Sequence, residues 1–364
     1  MTLAFYIARR FLTVFLGVVA IFGAILFLID MVDQIRRFSD ADITLGAAAG
    51  LAALNMPGAL YSILPLLMVL AAISFFLGMA RSSELVVIRA AGRSGLRMLM
   101  APVMVALIVG AVAVAVGNPL VAATSRAYEA RATELTRGEV SVLSISPEGL
   151  WLRQGGADGQ TVIRAARANL DGTRLFQATF LTFAPDGTPL DRIEAREARL
   201  IPGAWDLGGV KRWPLSADNP ELAAVTAERV QLPSDLTADR IRDSFGQPSA
   251  VPIWDLPAFI AGLDRAGFSA RSHRVWFQME LAQPLLMAAM VLLAAGFTMR
   301  HVRFGRTGIM VLSALAGGFG IFFLRNFAQI LGETGQIPVL PAAWIPPVAA
   351  VLLSLSLLLH LEDG

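Results

Sequence analysis

Charged residues are absent from six long stretches of the chain: 11–29, 43–80, 98–125, 281–299, 307–324 and 334–359. A membrane core is crossed by about 20 apolar residues in helical form, because backbone N–H and C=O groups find no water there and must pair within the helix. Each stretch is long enough, so the pattern predicts six membrane-spanning helices. The second stretch is too long for one crossing. Pro57, flanked by the polar Asn55 and Ser62, predicts a second span from near Pro57 to near Ala80, with 43–55 at the interface or extending the helix. The first stretch lacks a compact basic run ahead of it and has no small-residue cleavage pattern before the polar 30–37 segment. It reads as a retained helix rather than a signal peptide.

Between the third and fourth spans the pattern changes. Residues 129–265 hold 19 of the 28 acidic residues, and turn signals punctuate them at 155–159, 171–173, 185–188 and 218–220. Short runs lie between the turns, at 140–146, 161–165, 175–183, 192–200 and 225–232, and alternation is visible in 176–183 and 193–196. Several short strands at this spacing predict an inserted β-sandwich or β-jelly-roll. Its edges and interior could each receive an extended partner or an acyl chain; a solvated domain with no ligand of its own fits the pattern equally. Residues 253–263 have helical spacing and lead into the fourth span. The predicted organisation is therefore three spans in 1–128, a β-jelly-roll in 129–250, and a linker helix with three further spans in 251–364.

Composition supports the membrane reading: 55% of residues are hydrophobic and only 16% charged, too few to cover a soluble surface. The net charge of +2 sets up no global field for nucleic acid. Orientation follows from Lys and Arg in the short loops. Nine lie at the N-terminus (Arg9, Arg10), in 81–97 (Arg81, Arg89, Arg93, Arg97) and in 300–306 (Arg300, Arg303, Arg306), against Arg36 and Arg37 in the first loop and none in 326–342. Both termini are thus expected in the cytoplasm and the β domain in the periplasm. Cysteine is absent, so that domain holds together by packing, without disulfides.

The same inventory leaves little for catalysis. His273, His301 and His360 are far apart in sequence and suit neither a metal site nor a catalytic triad. The single lysine, Lys211, fails the spacing of a phosphate-binding loop. No enzyme activity, metal or cofactor of its own is expected, and any work must draw on a partner or an ion gradient. The span centres are free of Asp and Glu; Glu280 enters the fourth span from the outer side and Arg325 falls near the outer end of the fifth. That distribution argues against a proton relay and fits a large, mostly apolar cargo with anionic groups near the outer leaflet.

Two clusters are candidate sites. In 81–97, Ser82 or Ser83 can cap a helix beginning near Glu84, Leu85, Val86, Ile88 and Ala90 supply apolar surface, and Gly92 can end it. Such a helix at 82–92 either docks in a soluble partner's groove or is a surface helix with Glu84 as a cap. On the outer side Asp30, Asp33, Arg36 and Arg37 close the first span, and Arg126 and Arg131 follow the third. Arginine suits bidentate phosphate binding; interfacial snorkelling and internal ion pairing are the alternatives.

Four segments carry a family resemblance. Met31-Val32-Asp33-Gln34-Ile35-Arg36-Arg37 resembles the end of the first span in the LptF/LptG permeases of lipopolysaccharide export, the LptG branch more closely. Ser83-Glu84-Leu85-Val86-Val87-Ile88-Arg89-Ala90-Ala91-Gly92 is similar to that family's coupling helix, and Gly149-Leu150-Trp151 and Trp344-Ile345-Pro346 also match. The likeness covers essentially the whole chain. It implies a membrane protein of six transmembrane α-helices (3+3) with an inserted periplasmic β-jelly-roll, resident in the bacterial inner membrane. It further implies pairing with an LptF-like permease above an LptB-like ATPase dimer that binds the ATP. Lipopolysaccharide would pass from the outer leaflet of the inner membrane to an LptC-like bitopic periplasmic protein. By the same resemblance Glu84, Arg89 and Gly92 seat the coupling helix, and the first, second and fifth spans line the lipid cavity. Arg36, Arg37 and Arg126 then face the lipid's phosphates. Asp30 and Glu129 depart from positions that are basic in some members, with Arg131 or Arg325 compensating. The LptF role, a mechanotransmission permease that carries no lipid through its core, and a membrane-anchored scaffold remain alternatives.

Overall fold

The computed structural model describes residues 2–39, 43–82, 84, 95–136, 144–146, 149–156, 159–168, 173–217, 219–234, 236, 248–266, 269–299 and 307–362. Its helices are α1 (Thr2–Arg37), α2 (Leu45–Ser62), α3 (Leu64–Arg81), α4 (Gly95–Val112), a π-helical segment (Ala113–Gly117), α5 (Asn118–Thr136), α6 (Leu256–Ala266), α7 (Arg271–Thr298), α8 (Thr307–Glu333) and α9 (Val339–Glu362). Six helical stretches are long and apolar enough to cross a membrane: Leu3–Arg37, Leu64–Arg81, Arg97–Ala132, Arg271–Thr298, Thr307–Glu333 and Val339–His360. The six expected spans are all present.

The second crossing breaks elsewhere than Pro57 suggests. Pro57 lies inside α2, and the helix stops at Ser62; α3 then starts afresh with Pro65 in its first turn. A proline there loses nothing, since its missing N–H would be unpaired in any first turn. Leu66 and Leu67 both donate to the Ile63 carbonyl, which makes the new start. Thr44 caps α2 by accepting from the Ala47 N–H.

Burial sorts the spans. In α7, 78% of the apolar window is buried, whereas in α1 and α8 only 11% is. α7 is therefore the post around which α3, α4, α8 and α9 pack. Its core contacts include Met287 and Met290, together with Met68, Phe75, Phe76 and Met79 of α3 and Phe11 of α1. Phe11, Phe75 and Phe76 meet edge to face at 5.4 and 5.2 Å. Close approach depends on a missing side chain: a Cβ on Gly110 of α4 would lie 2.5 Å from Pro284 Cα of α7. Small residues serve this purpose where lipid offers helices no hydrophobic incentive to associate.

Residues 137–248 and 255–270 form a compact unit of their own. Seven strands, β1 (Ser144–Ser146), β2 (Gly149–Gly156), β3 (Gly159–Ala168), β4 (Arg174–Phe183), β5 (Pro189–Ile201), β6 (Ala204–Pro214) and β7 (Val225–Pro233), make one antiparallel sheet in sequence order. The inserted β domain is thus present, with its described strands joined as an up-and-down meander. β6 is additional to the expected strands, and β2 extends the Gly149-Leu150-Trp151 motif into a full strand.

One row explains why strand-by-strand alternation is misleading here. Ala166, Gln177, Arg196, Gly209 and Glu228 face one another across β3 to β7, and none is paired, although the pairs on either side keep register. Buried positions switch parity at this row in β3 to β6: Ile163 and Ala165 then Ala168, Leu175 then Ala178, Ala195 then Ala198, Leu207 then Val210. Gln177 (φ 51°) and Gly209 (φ 64°) take left-handed backbone at the row, two strands apart. The sheet is creased along this line, which keeps one face apolar on both sides of it. That face buries Trp205 against Phe180, ring centroids 6.1 Å apart, and is covered by Phe259, Ile260 and Leu263 of the amphipathic α6.

Candidate functional site

The last turns of α1 are tied to two other helices by polar side chains. Asn55 of α2 donates to Asp30 Oδ1 at 2.8 Å, and the buried Gln34 donates to the same carboxylate at 3.4 Å. Tyr128 of α5 donates to Gln34 Oε1 at 3.1 Å and accepts from Arg37 at 3.3 Å. Asp30 is thereby the pin that joins α1 to α2. Arg36, Arg37, Arg126 and Arg131 are all exposed, on helices α1 and α5 that both pack against α2. Arg126 Nε donates to the Ala122 carbonyl of its own helix at 3.1 Å. The structure places these four arginines on two helices that Tyr128 links through Gln34 and Arg37.

Arg325 belongs to a different set. It is partly buried on α8, and its charge acts on Glu280 of α7 and Tyr61 of α2. Tyr61 in turn donates its hydroxyl proton to Glu280 Oε2. Neither Tyr61 nor Asn118, which faces the same carboxylate, is legible as a site residue in the sequence, because each sits alone in an apolar run.

About 40 Å away along α1, at 1.5 Å per residue, lies the second cluster. Glu84 follows the end of α3. Ser82 donates to its Oε1 at 2.8 Å, and Arg10 of α1 donates to its Oε2 at 2.5 Å and to the Tyr6 hydroxyl at 2.9 Å. The Arg10 guanidinium, and then the Ser82 hydroxyl, hold the Glu84 carboxyl below its ordinary range. In the sequence Arg10 counts only toward orientation; the structure makes it Glu84's partner. Arg89 and Gly92, with the rest of 85–94, lie outside the described residues.

Apolar faces lie exposed among the described residues of α1 and α8. On α1 these include Leu16, Ile21, Ile25, Leu28 and Ile29; on α8 Phe319, Phe323 and Phe327 repeat every four residues, followed by Ile330. Phe319 and Phe323 stack at 6.4 Å. Among the described residues no three His, Cys, Asp or Glu side chains are grouped to hold a metal ion.

Residues 5–360 match the family described as lipopolysaccharide export system permease LptF/LptG. The chain is 24% identical over 368 residues to the lipopolysaccharide export system permease protein LptG of Haemophilus influenzae, covering all of this chain and 99% of that protein. It is 23% identical over 360 residues to the protein of the same description in Escherichia coli K12, covering 98% of this chain and 97% of the relative.

Proposed function

This chain belongs to the LptF/LptG family of lipopolysaccharide export permeases, and from that premise we propose that it is the LptG-type half of an ATP-driven exporter. It is an integral inner-membrane protein and a transporter subunit, not itself an enzyme. In the proposed assembly a second, LptF-like permease lies beside it and an LptB-like ATPase dimer binds the ATP beneath. Both termini and Glu84 face that ATPase; the β domain is periplasmic and hands lipid to an LptC-like protein.

The observation that carries the proposal is the division of labour among the spans. α7 is packed as a post, while α1 and α8 leave long apolar faces open from the Glu84 end to the arginine end. Such faces suit acyl chains, each buried CH₂ contributing about 0.8 kcal/mol without directional bonds. Because no directional bond has to break, a modest approach of the two permease halves can expel the tails. Arg36, Arg37, Arg126 and Arg131 stand where the anionic headgroup would lie, and paired guanidinium donors match phosphate oxygens. Closure of the ATPase dimer would act through Glu84 and the helix that follows, with Arg89 and Gly92 helping to seat it, and through Arg10 on α1.

Native mass spectrometry of the tagged chain, gently extracted from its own membrane, tests this. One copy with a second six-span permease, two copies of a soluble ATPase and bound lipopolysaccharide is the expected result. A lone chain or a homodimer with no nucleotide-binding partner would refute it. Independently, Glu84→Arg should strip the ATPase from the complex; retention of both the ATPase and its turnover would remove Glu84 from the coupling role.

A further inference from the structure

Three interruptions of regular helix meet at one buried side chain. Pro284 of α7 has no N–H to offer the Glu280 carbonyl one turn earlier. The π-helical segment Ala113–Gly117 ends directly at Asn118, and such segments concentrate at functional positions. α2 stops at Ser62, the residue after Tyr61. Glu280 is 0% exposed. Tyr61 donates to its Oε2, and the Asn118 amide acts on both Tyr61 and Glu280. Asn118 Oδ1 also accepts the Ile253 N–H at 2.8 Å, so the same side chain holds the short segment Ser249–Trp254. Trp254 adds a bond from its indole to the Ala115 carbonyl of the π-helical segment at 3.1 Å.

Arg325 of α8 adds its charge to the group from a distance, with no ion-pair contact to Glu280 among the described residues. At 100° per residue it lies about 200° around the helix from Phe323, hence behind the exposed aromatic face. Glu280 Oε1 and Gln283 Oε1, one turn apart on α7, have no hydrogen-bond partner and remain available as acceptors. An acidic side chain inside a membrane helix is costly unless a counter-charge and hydrogen bonds compensate it. Here three other helices supply that compensation, through Tyr61, Asn118 and Arg325, and none of it serves the steps described above.

We infer that Tyr61, Asn118, Glu280 and Arg325 form a charge-compensated clamp that fixes α2, the π-helical segment and α8 around α7, so that Arg325 is a positioning residue for the aromatic face of α8 and not a ligand of the cargo's phosphate. The face of α8 that meets lipid is set from behind, by a polar group that lipid never touches. Only the transport arm of the test depends on the exporter reading.

The experiment compares Glu280→Gln, Arg325→Met and their double variant, in full-length protein with its co-purified partners in lipid nanodiscs. Spin labels on Ile25→Cys of α1 and Phe323→Cys of α8 report the distance between the two open faces. Each single variant leaves one group uncompensated and should broaden the distance distribution and lower the unfolding temperature; the double should restore both toward wild type. Lipid release should fall about ten-fold in each single and recover in the double, as expected for residues sharing one network. Arg325→Lys, which keeps the charge, should retain the wild-type distance. If the singles fail to yield folded protein, recovery of folded double variant is the supporting result, and Tyr61→Phe, lacking one O–H, gives a milder broadening. The inference is overturned if the double is no better than the worse single, or if both singles keep the wild-type distance. It is also overturned if Arg325→Met loses bound lipopolysaccharide while Glu280→Gln gains it, the signature of a phosphate ligand. If no variant, wild type included, carries lipopolysaccharide, the exporter reading fails while the distances and unfolding temperatures still decide the clamp.

Discussion

The crease in the β sheet makes an unusually specific demand at Gly209. Its φ of 64° is left-handed backbone, and a Cβ there would run into the Arg196 guanidinium across the unpaired row. Two costs have to be separated. The backbone cost of placing an L-residue in that region is about 1–2 kcal/mol. The steric cost is small, because the obstructing atoms are the far end of an exposed, flexible side chain that can swing away. Gly209→Ala should therefore destabilise the β unit by about 1–2 kcal/mol, and coupling between positions 209 and 196 should be slight: Arg196→Ala should neither harm the fold nor rescue Gly209→Ala. Gly209→Asn should be milder than alanine, since asparagine tolerates this region, and Gly209→Val worse. Hydrogen–deuterium exchange of the full-length protein in nanodiscs reads this strand by strand. A loss of 1–2 kcal/mol accelerates exchange roughly 5- to 30-fold, here in β5 to β7. At Gln177 (φ 51°) the logic inverts. A glycine, which weakens an ordinary strand position by about 0.5–1 kcal/mol, should be neutral or better there. Unchanged exchange in Gly209→Ala, or equal effects of Asn and Val, would refute the crease.

Three further outcomes test other parts of the molecule. Trp205→Ala, at a fully buried ring against Phe180, should cost about 3–5 kcal/mol, whereas Trp205→Phe should cost far less, because it keeps an aromatic ring in the core and the indole N–H it gives up is buried without an acceptor; unfolding temperatures of the two variants check this. Gly110→Val should drive α4 off Pro284 of α7 and sharply reduce the yield of monodisperse protein on size exclusion, with Gly110→Ala intermediate. Glu84 supplies a pH prediction. Its carboxyl is held below the ordinary value of 4.5 by Arg10, so the contribution of the charged pair is present above that value and lost as pH falls through the depressed one. ATPase retention in pull-downs should be flat between about pH 5.5 and 8 on that account; a midpoint near 6 would show that another group governs docking.

The membrane half was legible because its rule is one of omission. A charge-free run of sufficient length has few structures open to it in lipid, so the spans could be read from the absence of Asp, Glu, Lys and Arg. What omission does not locate is a break inside a run: Pro57 and Pro65 look alike in sequence, yet one is carried within α2 and the other starts α3. The β half obeys a period of two, and β6 escaped because Gly208 and Gly209 interrupt its alternation where the crease resets it. Of the site, Glu84 was visible through the helix signals that follow it. Its partner Arg10 was not, since a contact 74 residues distant leaves no local mark.

Family resemblance proposes Arg36, Arg37 and Arg126 for the phosphates, with Arg131 or Arg325 compensating for Asp30 and Glu129, and their neighbours divide these five arginines. A cargo-binding arginine must keep donors free on a surface that cargo reaches. Arg36, Arg37, Arg126 and Arg131 are exposed, and where they bond within the chain it is to neutral oxygens, the Tyr128 hydroxyl and the Ala122 carbonyl. A neutral acceptor yields readily to a phosphate, because a charge-assisted bond is roughly twice as strong. Arg325 sits behind its helix with an acid for company, and a phosphate competing for it would leave Glu280 buried without a counter-charge. The same distinction accounts for Asp30. Its carboxylate keeps its charge, but Asn55 and Gln34 direct their amides onto its oxygens, so it is tied within the chain and serves to join α1 to α2. Because Asp33 on α1 and Glu129 on α5 also stay in the balance, an anionic headgroup would be held there by guanidinium donors that match its oxygens and not by a net positive field.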